Sequence, residues 1–182
     1  ADVTIYEKAD KNMAGGNTKY TAGAMRFSYE SGDQLIDLLD NPNDVRLKDT
    51  DFGSYTQEKF KNDLLNFNDG RPLSWEQEIL VSKSLETIQW LSSHDVKFEP
   101  IYSRQSFIKE GKHIFWGGLT LASENEGVGL FNQELSAFLS LGGKIFYENA
   151  VTDLFFEDNA VKGIYIGDDR IEADAVILAS GG

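Results

Sequence analysis

Cysteine is absent from the 182 residues. That excludes a disulfide scaffold, thiolate metal sites, iron–sulfur ligation by this chain and a cysteine nucleophile. It also leaves the redox compartment unreadable from cysteine usage. Histidine is nearly absent: His94 and His113 stand in no HExxH-type spacing, so no metal site is expected. Basic residues are scarce, with 17 Lys and Arg against 30 Asp and Glu and a formal charge of −13. A surface of that sign repels phosphates, which argues against a nucleic-acid or anionic-membrane binder and leaves the acidity a solubility role. No apolar run is long enough to span a bilayer and no signal peptide opens the chain, so the expected location is cytoplasmic. What is present is globular: 41% hydrophobic and 26% charged residues exclude a disordered chain. The length suits one domain, or one domain with an insertion.

Both ends read as interior sequence. There is no initiator Met, and Asp2–Glu7 is a strand in mid-flow ending in an acid. Ala175-Val176-Ile177-Leu178-Ala179-Ser180-Gly181-Gly182 reads as a buried parallel strand entering a Gly turn, which ordinarily leads to a helix. The expectation is a segment cut on both sides from a larger protein.

Between the ends, residues 14–25 are rich in Gly, Ala and Thr, a backbone able to approach a ligand closely. An acidic, Asn-rich stretch follows, with helices expected at Gln34–Asp40 and Gln57–Asn66. A long helix is expected at Ser74–His94. Ser74 and Gln77 offer a capping box, and Ile79, Leu80, Leu85, Ile88 and Leu91 an apolar stripe. Phe98–Tyr102 is extended, and Ser106–Trp116 is a hairpin turning at Glu110-Gly111. A helix over Gly129–Leu141 ends at Gly142-Gly143. Strands follow at Lys144–Glu148, Val151–Glu157, Ala160–Gly167 and Ala175–Ala179, with a hairpin turn at Asp158-Asn159 and a short addition at Arg170–Ala173.

Three places carry chemistry. Glu7, followed by Lys8, ends a strand. In a dinucleotide-binding unit such an acid accepts hydrogen bonds from ribose hydroxyls, since a carboxylate is acceptor-only with two oxygens. The same residue is otherwise a surface acid. Gly15-Gly16-Asn17-Thr18 can turn backbone N–H groups to a pyrophosphate, or be a solvent loop, and Thr21-Ala22-Gly23-Ala24 can lie flat against a planar ring. Ala179-Ser180-Gly181 stands where a sheet delivers a ligand-contacting turn, or an ordinary one.

Taken together, these segments resemble the FAD-binding blocks of the fumarate reductase/succinate dehydrogenase flavoprotein superfamily. Gly16-Asn17-Thr18-Lys19-Tyr20-Thr21-Ala22-Gly23-Ala24-Met25-Arg26-Phe27, Pro100–Phe107 and Phe115-Trp116-Gly117-Gly118-Leu119-Thr120 are similar, within it, to the tricarballylate dehydrogenases. The likeness runs over essentially the whole chain. It implies an α/β chain: a two-dinucleotide-binding, Rossmann-like FAD fold with a β-meander, plus an inserted, mainly helical α+β substrate cap, incomplete at both ends. Residues 1–34 and 127–182 would bind FAD, and 35–126 would belong to the cap.

By this resemblance Glu7, with Lys8, meets the adenosine ribose, and Gly15, Gly16, Asn17 and Thr18 hold the pyrophosphate and ribityl region. Thr21, Ala22, Gly23 and Ala24 line the flavin ring, Val151 contacts adenine through its backbone, and Ala179, Ser180 and Gly181 close over the dinucleotide. Ser180 stands where the family most often has Thr or Cys. Asn17 stands where succinate dehydrogenases carry a flavin-linked His, so FAD would be noncovalent. Arg104 would pair with a substrate carboxylate, unless it forms a surface ion pair, and Gly118 and Thr120 would shape the site floor. His113 belongs on the hairpin surface and Trp116 in the core. The implied reaction is dehydrogenation, or reduction, of a di- or tricarboxylate by hydride exchange with flavin N5. An iron–sulfur/haem protein would accept the electrons. The catalytic base is expected beyond Gly182. The alternatives are a fumarate reductase, a 3-ketosteroid dehydrogenase, or a noncatalytic remnant serving as a binding or scaffold domain.

Overall fold

The computed structural model describes residues 1–181. In chain order the elements are β1 (Thr4–Tyr6), β2 (Ala24–Met25), α1 (Asp33–Ile36), β3 (Thr50–Asp51), α2 (Gln57–Phe67), α3 (Trp75–Ser93), β4 (Phe98–Pro100) and α4 (Tyr102–Gln105). After these come β5 (Ser106–Lys109), β6 (Lys112–Phe115), β7 (Leu121–Ser123), α5 (Glu126–Ser140), β8 (Lys144–Phe146), β9 (Asp153–Glu157), β10 (Ala160–Ile166) and β11 (Asp169–Glu172). The chain divides into two compact units, Thr18–Glu134 and the flanking parts Ala1–Asn17 with Leu135 onward.

The central unit holds the hydrophobic core. Phe27, Tyr29, Leu35, Phe52, Tyr55, Phe60, Val81, Ile88, Val96, Phe98, Phe115, Leu121 and Leu130 are buried in one cluster. Its sheets are an antiparallel β2-β7-β4 and a hairpin β5–β6 extended by parallel β3. The hairpin turns at Glu110 and Gly111, both left-handed, as its sequence requires.

Helix α3 starts where Ser74 caps it. Ser74 Oγ accepts from Gln77 N–H at 3.3 Å and Gln77 Oε1 accepts from Ser74 N–H at 3.0 Å. Its buried face differs from the expected stripe. Ile79 and Leu80 are exposed, while Val81, Ser84 and Ile88 are buried with Leu85 and Leu91 partly so. Ser84 is the reason: its hydroxyl donates to Val81 O at 3.1 Å and accepts from Ser28 N–H at 3.0 Å, so a polar residue sits satisfied at a core position. Trp116 also departs from expectation. It is 62% exposed and leans on Phe107, because strand alternation sends its neighbour Phe115 inward.

The flanking unit is thinly packed. β1 runs parallel to β8 in the register Thr4↔Lys144, and β9-β10-β11 form the expected meander. Asp158 and Asn159 make its first turn, both at positive φ. Helix α5 begins earlier than expected, at Glu126, and ends where Gly142 turns left-handed and Gly143 N–H donates to Phe138 O. The strand expected at Ala175–Ala179 does not form, and Ile177 and Leu178 are 89% and 70% exposed. A fully apolar parallel strand requires neighbouring strands and covered faces. Among the described residues β1 and β8 pair only with each other. Gly182, the end of the expected turn, lies outside the described residues.

Candidate functional site

In the flanking unit, hydrogen bonds hold the carboxyl ends of two parallel strands side by side. Glu7 N–H donates to Phe146 O at 2.9 Å, Asn149 N–H to Glu7 O at 2.9 Å, and Glu148 N–H to Ala9 O at 3.0 Å. Open sheets receive ligands at this kind of edge. Glu7 stands at this edge, and Val151, 41% exposed, follows two residues after Asn149. One Glu7 oxygen, Oε1, accepts from Ala9 N–H at 2.8 Å. The other has no hydrogen-bond partner among the described residues and stands available to a hydroxyl donor. Lys8 is exposed beside it.

Gly15 and Gly16 have left-handed backbones, and Gly16 opens a 3₁₀ turn over Gly16–Tyr20 that carries exposed Asn17. Ala179, Ser180 and Gly181 are exposed and outside any strand.

In the central unit, Thr18 to Gly23 form a tight loop. Thr18 O accepts from Thr21 N–H at 3.1 Å and from Thr21 Oγ1 at 3.0 Å, and Thr21 Oγ1 accepts from Gly23 N–H at 3.1 Å. Gly23 is buried at φ +63°, where a Cβ would stand 2.3 Å from Ser123 Oγ and 2.8 Å from the Glu126 backbone. The small residues Ala22, Gly23 and Ala24 therefore let this loop lie against the start of α5, where Gly127 N–H donates to Thr21 O at 3.1 Å. Asn125 and Glu126 hold positive φ there. The sequence reading missed this partner of the loop, although Gly127-Val128-Gly129 after an apolar strand was its signal.

Backbone bonds lay residues 101–105 along 116–120: Ile101 N–H donates to Thr120 O at 2.9 Å and Trp116 N–H to Gln105 O at 3.2 Å. The side chains then diverge. Arg104 pairs with Glu126 at 3.0 Å, both largely exposed. Thr120 is fully buried. Its Oγ1 lies near the Tyr29 hydroxyl, which donates to Phe52 O at 2.8 Å, but makes no well-formed hydrogen bond to it. His113 is half-buried, edge-on to Tyr102.

Gly118 leads to a cluster the sequence reading missed. A Cβ on it would stand 2.6 Å from Arg26 Nη1 and 3.0 Å from the Tyr55 ring. Arg26 Nη1 donates to the Tyr55 hydroxyl at 3.1 Å, and that hydroxyl donates to Asp63 Oδ2 at 2.6 Å. Burial, and donation to Asp63, push the Tyr55 hydroxyl up to about 12, against the pull of Arg26. These residues lie 29 or more positions from Arg26 in sequence, so no local pattern could reveal the group.

Among the described residues no cluster of acids and histidines could hold a metal ion, and no helix is long and apolar enough to cross a membrane. Two surface hollows, of about 340 and 300 Å³, lie over the meander and beside α1 and include none of the expected site residues.

No family model matches the chain, and no curated protein matches it. The fold is similar to that of the Mycobacterium smegmatis Sdh1 complex in the apo form, with a TM-score of 0.58 at 13% identity over 90% of this chain and 26% of that one. The same Sdh1 in complex with UQ1 aligns with a TM-score of 0.47 at 15% identity over the same shares. The chain thus spans about a quarter of the length of the solved chains it matches. What the likeness gives is a mixed α/β fold of the kind found in a segment of an Sdh1 chain.

Proposed function

We propose that the chain is part of an FAD-dependent oxidoreductase of the fumarate reductase/succinate dehydrogenase flavoprotein kind, acting on a di- or tricarboxylate such as tricarballylate. The observation that carries this reading is the paired carboxyl ends of β1 and β8 with the Glu7 carboxylate at their edge. A free acceptor oxygen there fits an adenosine ribose, and the likeness in fold to Sdh1 supports it. When bound, FAD supplies the hydride-exchanging ring.

The chain's own residues hold and orient. Glu7, with Lys8, binds the ribose, and Val151 offers backbone to adenine. Gly15, Gly16, Asn17 and Thr18 take the pyrophosphate, and Thr21 to Ala24 the ring. Ala179, Ser180 and Gly181 close over the dinucleotide. The Asn17 amide forms no covalent link, so the cofactor is exchangeable. Residues 1–34 and 127–182 serve the cofactor and 35–126 the cap, where Arg104 meets substrate and the buried Gly118 and Thr120 shape the floor beneath it. An iron–sulfur or haem protein takes the electrons. No residue of this chain is assigned as the base.

The test is FAD titration, by flavin fluorescence quenching, on the protein expressed from its complete reading frame. One FAD per chain is expected, removable by denaturation without proteolysis. Glu7→Gln should weaken binding roughly tenfold, the loss of a charge-assisted hydrogen bond. Anaerobic tricarballylate or succinate should bleach the oxidised-flavin band, and a 3-ketosteroid should not. Failure to retain flavin, or no bleaching by any carboxylate, overturns the reading.

A further inference from the structure

We propose that Arg26, Tyr55 and Lys59, set over the Gly117-Gly118 backbone, form a subsite for one carboxylate of a di- or tricarboxylate ligand, and that Asp63 is its internal competitor. This deepens the carboxylate reading above and rests on it for the choice of ligand.

Solvent reaches the group, because the Arg26 and Asp63 side chains are 44% and 51% exposed. The Arg26 guanidinium and the Lys59 ammonium stand 5.4 and 5.7 Å from the centre of the same Tyr55 ring. Both also stand over consecutive glycines. A Cβ on Gly117 would meet Lys59 Nζ at 3.6 Å, and one on Gly118 would meet Arg26 Nη1 at 2.6 Å. A side chain at 118 would occupy the place Arg26 takes.

The cations are under-used. Arg26 spends Nη1 on Tyr55, and its Nε and Nη2 have no hydrogen-bond partner among the described residues. Its distance to Asp63, 3.9 Å, leaves the fork unfilled. A guanidinium with a free edge takes a carboxylate bidentately. Lys59 lies one turn before Asp63 on α2, yet pairs with no carboxylate among the described residues. In a chain of charge −13, two cations facing one acid are a local excess of positive charge.

The group already holds a carboxylate. Tyr55 donates to Asp63 at 2.6 Å with Arg26 behind it. A ligand carboxylate that seats on the free edge of Arg26 and on Lys59 competes with Asp63 for the same charges. Release of Asp63 therefore strengthens the site, which a purely structural ion pair would not do.

The test is a ¹H–¹⁵N NMR titration of this chain, without flavin, with tricarballylate at constant ionic strength. The Gly117 and Gly118 amides and the Arg26 Nε–H should shift saturably. Arg26→Lys keeps the charge and loses the fork, and Lys59→Gln loses the charge. Each should weaken binding roughly threefold to tenfold, and Asp63→Asn should tighten it by a similar factor. Inorganic phosphate at the same concentration should give no saturable shift. Unchanged affinity in Arg26→Lys, weaker binding in Asp63→Asn, or equal binding of phosphate each overturns the proposal. Flavin retention with no tricarballylate shifts removes this subsite and leaves the oxidoreductase reading standing. Saturable shifts in a protein that never retains flavin do the reverse.

Discussion

Gly16 and Gly118 both have left-handed backbones, yet replacing them by alanine should have different costs. At Gly16 a Cβ meets nothing within 4 Å, so only the backbone term of about 1 kcal/mol applies. At Gly118 the Cβ also meets Arg26 and Tyr55 at 2.6 and 3.0 Å, which should raise the loss to roughly 2–4 kcal/mol. Urea denaturation of the two variants tests the order. Thr120→Val is the opposite case: the hydroxyl is buried without a well-formed hydrogen bond, so the isosteric methyl should leave stability within about 1 kcal/mol or raise it. A larger loss in the same denaturation assay would mean that Oγ1 has a working partner.

Tyr55 sets a pH dependence. Its folded pKa, about 12, lies above the ordinary 10, so the folded chain keeps a proton that the unfolded chain releases. That contribution is whole below pH 10 and drains as pH rises through about 12. Thermal melts of the parent and Tyr55→Phe should therefore differ by a constant amount up to pH 10 and converge above it.

At the scale of elements, Ser74→Ala should destabilise by about 1 kcal/mol, the value of an N-cap, through loss of the capping box at the start of α3. Ser84→Ala should cost more, roughly 1–3 kcal/mol, because it leaves the Ser28 N–H buried and unpaired. Chemical denaturation measures both. These two serines also mark what could be read from the sequence. Ser74 and Gln77 signal locally, as do Glu110-Gly111 and Asp158-Asn159, and those boundaries were legible within a residue or two. Ser84 is satisfied by Ser28, 56 residues away, so the buried face of α3 was misread toward Ile79 and Leu80. The strand expected at Ala175–Ala179 has the right composition, but a strand exists only through its neighbours. In the candidate site the strand that ends at Glu7 was legible, whereas the Tyr55 cluster joins three separated stretches of chain, at Arg26, at 55–63 and at Gly118, that only the fold brings together.

At the scale of the whole molecule, the core is one-sided. Every member of the hydrophobic cluster lies between Phe27 and Leu130, while the flanking unit buries little beyond Ala14, Phe155 and Ile164. Val3, Ile5, Phe146 and Val151 are each at least 40% exposed. Hydrogen exchange should be fast at Thr4–Tyr6 and Lys144–Phe146 and slow through β4, β7 and the buried turns of α3. Equal protection in the two units would contradict this picture.

The register Thr4↔Lys144 has a consequence for the life of the chain on the ribosome. The partners are 144 − 4 = 140 residues apart. At translation rates of roughly 5–20 residues per second, β1 is made about 7–28 s before its partner. During that wait β1 lacks the partner it has among the described residues, and the central unit has time to fold first. A nascent chain stalled before Lys144 should therefore leave Thr4–Tyr6 more open to a protease than one released after Phe146.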